Sequence, residues 1–211
     1  MTRRGRISGL IGIIFAAGAL AVAAPVYAQS YSPGYLFLKA IEKGDANEVA
    51  ELLQKHTSTL VDSRDITTGE SALHMTINNM AKKGADTTWL RYLIQHKANV
   101  NVRDNKSVTP LMLASQAGLV DAVDALVKAG ARVDIPNTTG ETPLIAAVHR
   151  RDVPVMRSLL IGGADPDRAD SSGRTAREYA RLAGGSLMAE IDKNSKPKNQ
   201  REGAKVYGPS F

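Results

Sequence analysis

The chain repeats itself. Thr109-Pro110-Leu111-Met112-Leu113-Ala114 returns 33 residues later as Thr142-Pro143-Leu144-Ile145-Ala146-Ala147, and Thr175-Ala176-Arg177-Glu178-Tyr179-Ala180 follows after another 33. An earlier copy, Ser71-Ala72-Leu73-His74-Met75-Thr76, precedes the first of these by 38. A fixed period of this length belongs to a stack of like units, each of which buries its apolar face against its neighbours. Such a stack offers long surfaces and no central pocket. The functional question therefore becomes which surface is used, and for whom.

Each copy carries a fixed local grammar. Asp104, Asn137 and Asp170 stand five residues before the Thr, and Asp65 stands six before Ser71, so that turn holds one residue more. Gly69, Gly140 and Gly173 sit two before the Thr or Ser, where a tight turn needs positive φ; Ser107 takes this place in one unit. Thr is a good N-cap, and Pro at the first helical position gives up no needed N–H. A first helix is therefore predicted at each Thr-Pro, with Leu111, Leu113 and Ala114 turned to the neighbouring unit. A turn at Gly118 leads to a second helix, in which Val120, Val123, Leu126 and Val127 recur at helical spacing. Gly130 ends that helix in the left-handed conformation. Gly130-Ala131-Arg132-Val133-Asp134 is echoed by Gly163-Ala164-Asp165-Pro166-Asp167 and by Lys97-Ala98-Asn99-Val100-Asn101. Arg132 to Thr138 then reads as an extended hairpin arm.

This grammar resembles the ankyrin repeat, whose period and Thr-Pro-Leu-His-x-Ala motif it shares over residues 35–185; the His survives only in Ser71-Ala72-Leu73-His74. The resemblance implies an all-α solenoid of helix-turn-helix units joined by short β-hairpin arms. The repeat domain is placed at 29–192. Its units are expected at 35–64, which lacks Thr-Pro; at 65–103, with a longer connection around Met80-Ala81-Lys82-Lys83-Gly84; at 104–136; and at 137–169. A capping unit at 170–192 closes it, with Arg177 at a core-leucine position and expected to face water. The resemblance also implies that His74 hydrogen-bonds hairpin backbone. Trp89, the only tryptophan, falls on a second helix, where packing is the expected role.

The two ends read differently. Arg3, Arg4 and Arg6 precede an uncharged run from Leu10 to Ala24, and Pro25 and Val26-Tyr27-Ala28 follow. This is the three-part signature of a secretory signal peptide over residues 1–28, with cleavage after Ala28. An uncleaved membrane anchor is the competing reading. Arg6 sits where twin-arginine signals carry an apolar residue, which favours the general secretory route. The style of signal is bacterial, so the mature chain is expected to be periplasmic or secreted. Without cysteine there is no lipid attachment, disulfide or thiolate. The formal net charge of +6 is concentrated at the termini. Residues 193–211 carry five cations against Glu202 and read as a flexible basic tail, while the body is near neutrality. That distribution is not the footprint of a nucleic-acid binder.

No nucleophile elbow, phosphate loop or dinucleotide fingerprint occurs. His56, His74, His96 and His149 show no metal-ligand spacing, and Asp165-Pro166-Asp167 falls in a hairpin and not in a closed pocket. No cofactor, metal or catalytic residue is assigned. An enzyme with a polar site in the groove, and a membrane-surface adaptor held by an uncleaved N-terminus, remain the alternatives.

The resemblance places partner contacts at the hairpin tips and along the exposed side of the first helices, which line a concave groove in the family. Carried over, the tips give Arg103, Asn105, Lys106, Val108, Thr138, Thr139, Glu141 and Arg174. The helix ends give Asn78, Asn79, Gln116, His149 and Arg150. These side chains are expected not to be demanded by packing. They are polar and mixed in sign, which suits a modest interface with another protein; an acidic partner face fits the middle and far end. The chain alone is expected to be a monomer, with no nucleic-acid partner and no stable membrane insertion after cleavage.

Overall fold

The structure, a computed structural model, describes residues 31–56, 60–84 and 86–195. The expected signal peptide, residues 1–28, and the expected tail beyond Ser195 lie outside the described residues. Ten helices, among the described residues, form five pairs: α1 Pro33–Lys43 with α2 Ala46–Lys55, α3 Ala72–Lys83 with α4 Thr88–Gln95, α5 Pro110–Ala117 with α6 Val120–Lys128, α7 Pro143–Arg150 with α8 Val153–Ile161, and α9 Ala176–Ala183 with α10 Gly185–Asn194. The odd-numbered helices pack one on the next, and α4, α6, α8 and α10 form a second layer.

The helix starts follow from side-chain chemistry. Thr109 and Thr142 accept the N–H groups of Met112 and Ile145 at 3.2 and 3.3 Å, with Pro110 and Pro143 at the first helical position. The first unit lacks Thr-Pro, as expected, but has an equivalent device. Ser32 caps α1 by accepting from Tyr35 N–H at 3.2 Å, and Pro33 follows it. Ser-Pro does the work of Thr-Pro, so that unit starts ahead of Tyr35. Leu111 and Leu144, at equivalent places, are fully buried, as are Val123 and Leu126 on the facing helix; Val120 and Val127 pack half-buried against them.

Two features differ from expectation. The hairpin arms are turns, not strands: among the described residues only the isolated bridges Arg64–Ser71 and Ala169–Thr175 are β-like. Each turn is closed by two backbone bonds, such as Asn137 N–H to Glu141 O at 3.0 Å and Gly140 N–H to Asn137 O at 3.1 Å. Further N–H groups of the turn go to a side-chain oxygen, described below, which leaves no ladder to extend. Arg177, in turn, does not face open water. Its guanidinium is half-buried and bridges Asp167 at 2.7 Å and Asp192 at 2.5 Å, tying the last hairpin to α10. The last unit is thus a complete pair. Leu187 and Ile191 of α10 are buried, and α10 packs on α8 and runs to Asn194.

Among the described residues, three that are not glycine have positive φ: Lys97 at 68°, Ser107 at 61° and Arg151 at 57°. Each stands where other units put glycine. Lys97 matches Gly130 and Gly163, Ser107 matches Gly140 and Gly173, and Arg151 matches Gly118 and Gly184, always at the 33-residue period. The left-handed conformation costs an L-residue about 1–2 kcal/mol, and glycine's extra unfolded-state freedom takes back part of the relief. Ser107→Gly is expected to raise the unfolding free energy by about 0.5–1 kcal/mol, read from the urea midpoint. Gly140→Ala should lower it, because the added Cβ would lie 2.5 Å from Ser171 N.

Candidate protein-binding surface

One side-chain oxygen organises every hairpin. Asp104 Oδ1 accepts the N–H groups of Lys106 and Val108, both at 2.8 Å. Asn137 Oδ1 accepts from Thr139 and Glu141 at 3.0 Å, and Asp170 Oδ1 from Ser172 and Arg174 at 2.8 and 3.1 Å. Asp65 does the same for Thr67 and Thr68. Hydroxyl donation from Thr67 and from Ser172, aided by these N–H groups, holds the Asp65 and Asp170 carboxyls down to about 2. This is the physical reason for the Asp or Asn that precedes each Thr.

The tips also bind one another. Asn105 N–H donates to Thr68 O at 3.0 Å, Thr138 N–H to Lys106 O at 3.1 Å, and Ser171 N–H to Thr139 O at 3.1 Å. His74 Nδ1 accepts from Ser71 N–H at 3.2 Å, which leaves the ring proton on Nε2 to donate to Val108 O at 3.0 Å. The imidazole thereby pins α3 to the next hairpin.

The expected contact residues divide into three groups. Arg103 donates to Pro136 O at 3.0 Å, and Arg64 makes the same reach to Arg103 O. Asn105 Nδ2 donates to Thr67 O at 2.8 Å, and Asn79 Nδ2 to Ile41 O at 2.8 Å at the end of α1. These side chains are used by the stack, which corrects the expectation that packing makes no demand on them. Thr139 Oγ1 closes on Asn137 at 2.8 Å, Asn78 donates to Glu70 at 3.1 Å, and Val108 is half-buried. Lys106, Thr138 and Arg150 are exposed and make no side-chain hydrogen bond or ion pair among the described residues.

The remainder form a chain that runs from the end of α5 to α9. Gln116 donates to Glu141 Oε2 at 3.4 Å, and His149 Nδ1 lies 3.3 Å from Glu141 Oε1. The His149 ring meets Tyr179 edge-on at 4.5 Å between centroids. The Tyr179 hydroxyl donates to Asp170 at 2.8 Å, and the Arg174 guanidinium lies 5.9 Å from the Tyr179 ring centre. A shallow pocket opens beside this chain, lined by Val148, His149, Arg151, Tyr179, Leu182 and Ala183. Leu182 is 71% exposed, unusual for its size. Tyr179, Leu182 and Arg151 were not among the sequence candidates. An aromatic, a leucine three residues on and an arginine in a glycine's place were the signals for them.

Hairpin tips and first helices thus share one polar face, built on a stack of five helix pairs. Two ankyrin-repeat models match this chain: one described as ankyrin repeats (3 copies) over residues 36–137, the other as ankyrin repeats (many copies) over residues 126–180. The chain belongs to the ankyrin-repeat family. That membership implies a protein–protein interaction module, of a kind usually non-catalytic. No curated protein matches the sequence. Among the described residues, no helix is long and apolar enough to cross a membrane.

Two outcomes test this account of the framework. Burial holds the His74 imidazole below its ordinary value of 6.5. The unfolded chain therefore takes up a proton first as pH falls, so His74's contribution to stability is full above about 6.5 and is lost as pH drops toward the folded value. His74→Gln should flatten the rise of urea midpoint with pH between about 5 and 7. Separately, Arg103→Ala should cost about 0.5–1.5 kcal/mol through its lost hydrogen bonds, while Lys106→Ala stays within about 0.5 kcal/mol of the parent.

Proposed function

We propose that this chain is a non-catalytic module that binds another protein outside the cytoplasm, with its principal contact at the α7–α9 end of the hairpin face. The observation that carries this is the grouping there of an aromatic, an exposed leucine and unpaired arginines. Arg150, Arg151, Arg174 and Arg181 are exposed and make no ion pair among the described residues. Tyrosine and arginine around an apolar depression are the residue types that dominate interface energies. The partner best suited is a protein with an acidic segment that also carries an apolar side chain. Its carboxylates would meet the guanidinium groups, and its apolar group would cover Leu182 and Tyr179. Lys106, Thr138 and Arg150 extend the same polar face and would form its rim. No cofactor is called for.

The location rests on the leader. Its basic start, apolar run and small residues before Gln29 suit export by the general secretory route, into the periplasm or beyond. N-terminal sequencing of the exported chain should begin at Gln29; a full-length chain retained in the cytoplasm would overturn that half of the reading. For the surface, the exported chain is used to capture partners from periplasmic extract. Tyr179→Ala and the pair Arg151→Glu with Arg174→Glu should each reduce recovery of a specific partner at least about tenfold, the scale of a hot-spot loss. Thermal melting should barely move for the arginine pair, and Tyr179→Ala, which loses the bond to Asp170, should lower it modestly with the fold retained. Full recovery with both variants, together with loss on removing residues 196–211, would assign binding to the tail instead.

A further inference from the structure

The second unit breaks the period, and the break builds a cavity. Ser71 and Thr109 are 38 residues apart where later starts are 33 apart. The excess lies in α3, which has 12 residues against eight in α5, α7 and α9, and in the connection to α4. The extra turn ends at Lys83 and is closed by Gly84, whose N–H donates to Met80 O at 3.1 Å. Between this turn, the end of α1 and the start of α4 lies a recess at the end of the odd helices opposite the hairpins. Its apolar wall is Ile41, Met80 and Trp89; its polar members include Lys43, Lys83 and Thr76.

Three observations mark this recess as more than a packing gap. Thr76 is 3% exposed, and its Oγ1 is the one buried side-chain polar atom, among the described residues, without a hydrogen bond. The equivalent positions in later units are Ala114, Ala147 and Ala180, all buried, so packing requires only a methyl there. A buried hydroxyl left unpaired carries a cost that an alanine would remove. Next, Lys43 and Lys83 have no ion pair or hydrogen bond among the described residues; Glu42 is paired with Lys39 at 2.7 Å, while Asp86, a carboxylate that also lines the recess, keeps its charge and accepts from Thr88 N–H and Oγ1 at 2.9 and 2.6 Å, so the two lysines leave the lining net positive. The helix dipoles offset one another, because the ends of α1 and α3 meet the starts of α2 and α4. The lysines therefore set the sign of the recess. Finally, a Cβ added at Gly44 or Gly84 would meet nothing within 4 Å, so the rim is open.

We propose that this recess is a binding site for a small apolar group that carries a carboxylate, its apolar body against Trp89 and Met80 and its charge between Lys43 and Lys83. The site lies away from the α7–α9 surface and stands or falls independently of it. Trp89 is the chain's only tryptophan, so its emission reports occupancy directly. The full mature chain is titrated with phenylacetate, phenylacetamide and acetate, at constant ionic strength. Phenylacetate should shift Trp89 emission saturably, with an affinity on the order of millimolar for a ligand of this size. Phenylacetamide, which lacks the charge, and acetate, which lacks the body, should each bind at least about fivefold more weakly, the scale of one exposed ion pair or of one or two buried methylenes. Lys43→Gln with Lys83→Gln should remove the preference for the acid over the amide. Thr76→Ala, which installs the residue of the sister units and so preserves the fold, should weaken phenylacetate several-fold. Equal binding of acid and amide, or no saturable response to any of the three, would overturn the assignment. So would phenylacetate binding unchanged in both variants, whose folding is checked by melting. Phenylacetate binding that persists when Arg151 and Arg174 are reversed would support this site and leave the protein-binding reading to its own test.

Discussion

The structure depends on a single oxygen in each hairpin. Helix pairs of this length cannot hold themselves in place, because each buries its apolar face only against a neighbour. Hydrophobic contact supplies the energy but not the register. The register comes from Oδ1 of Asp65, Asp104, Asn137 and Asp170, which gathers the N–H groups of its own turn and presents the tip in one geometry. The next tip then hydrogen-bonds to it. A second rail runs along the other edge of the turns: Asn99 N–H donates to Asp62, Arg132 N–H to Asn101 and Asp165 N–H to Asp134, at 2.7–3.0 Å. With both rails in place, a unit has one way to sit on its neighbour. The depressed pKa values of Asp65 and Asp170 mean that the carboxylates keep this role well into acid.

What recurs at a fixed spacing was legible from the chain alone. Thr-Pro starts, glycine turns and the leucines of the first helix all belong to that class. What depends on one unit's exception was not. Ser32-Pro33 caps α1 with a different residue at a different spacing and escaped the period. A lone charged residue at a core position, such as Arg177, reads as an exposed cap, yet two carboxylates outside its own helix, Asp167 and Asp192, receive it. Arg64 and Arg103 lie 39 residues apart, off the period, because the second unit is longer. Their shared job of reaching the next hairpin's carbonyl therefore could not be seen as a repeat. That job explains why Arg103, Asn79 and Asn105 are framework as well as surface: carbonyls at the edge of a unit need donors, and the nearest side chains supply them.

The second unit shows how a stack absorbs change. Thr68 occupies the place of Lys106 and Thr139, since each offers its carbonyl to the next tip. The residue extra to that hairpin therefore lies between Asp65 and Thr68, where Ile66 is 97% exposed. The longer α3 adds its turn at the far end of the helix. The first insertion is taken up as a wider turn whose Thr68 carbonyl still meets Asn105 N–H, and the second lies at the end of α3 away from the hairpins, where Met80 joins the core while Lys82 and Lys83 stay exposed. Insertions in a solenoid are tolerated at such places and supply surface that the repeat itself does not have.

The same logic explains why binding chemistry gathers at the last pair. An inner helix between two neighbours must be apolar on two sides: α7 buries six of its eight residues, from Pro143 to Val148. The helix α9 has a neighbour on one side only, and buries just Ala176 and Ala180. Its remaining positions are released from packing, and they hold Arg177, Glu178, Tyr179, Arg181 and Leu182. Two of these are recruited to fasten the end of the stack, Arg177 to the carboxylates and Glu178 to Thr175 N–H at 2.9 Å. Tyr179 leans on His149 and Asp170 with one side still open, and Arg181 and Leu182 are left for solvent or a partner. A surface built there can change its chemistry without disturbing the seams that hold the other four pairs together, since a unit's stability is felt mainly by its immediate neighbour. The end of a solenoid is thus where sequence is least constrained by folding, and where a binding specificity costs the fold least.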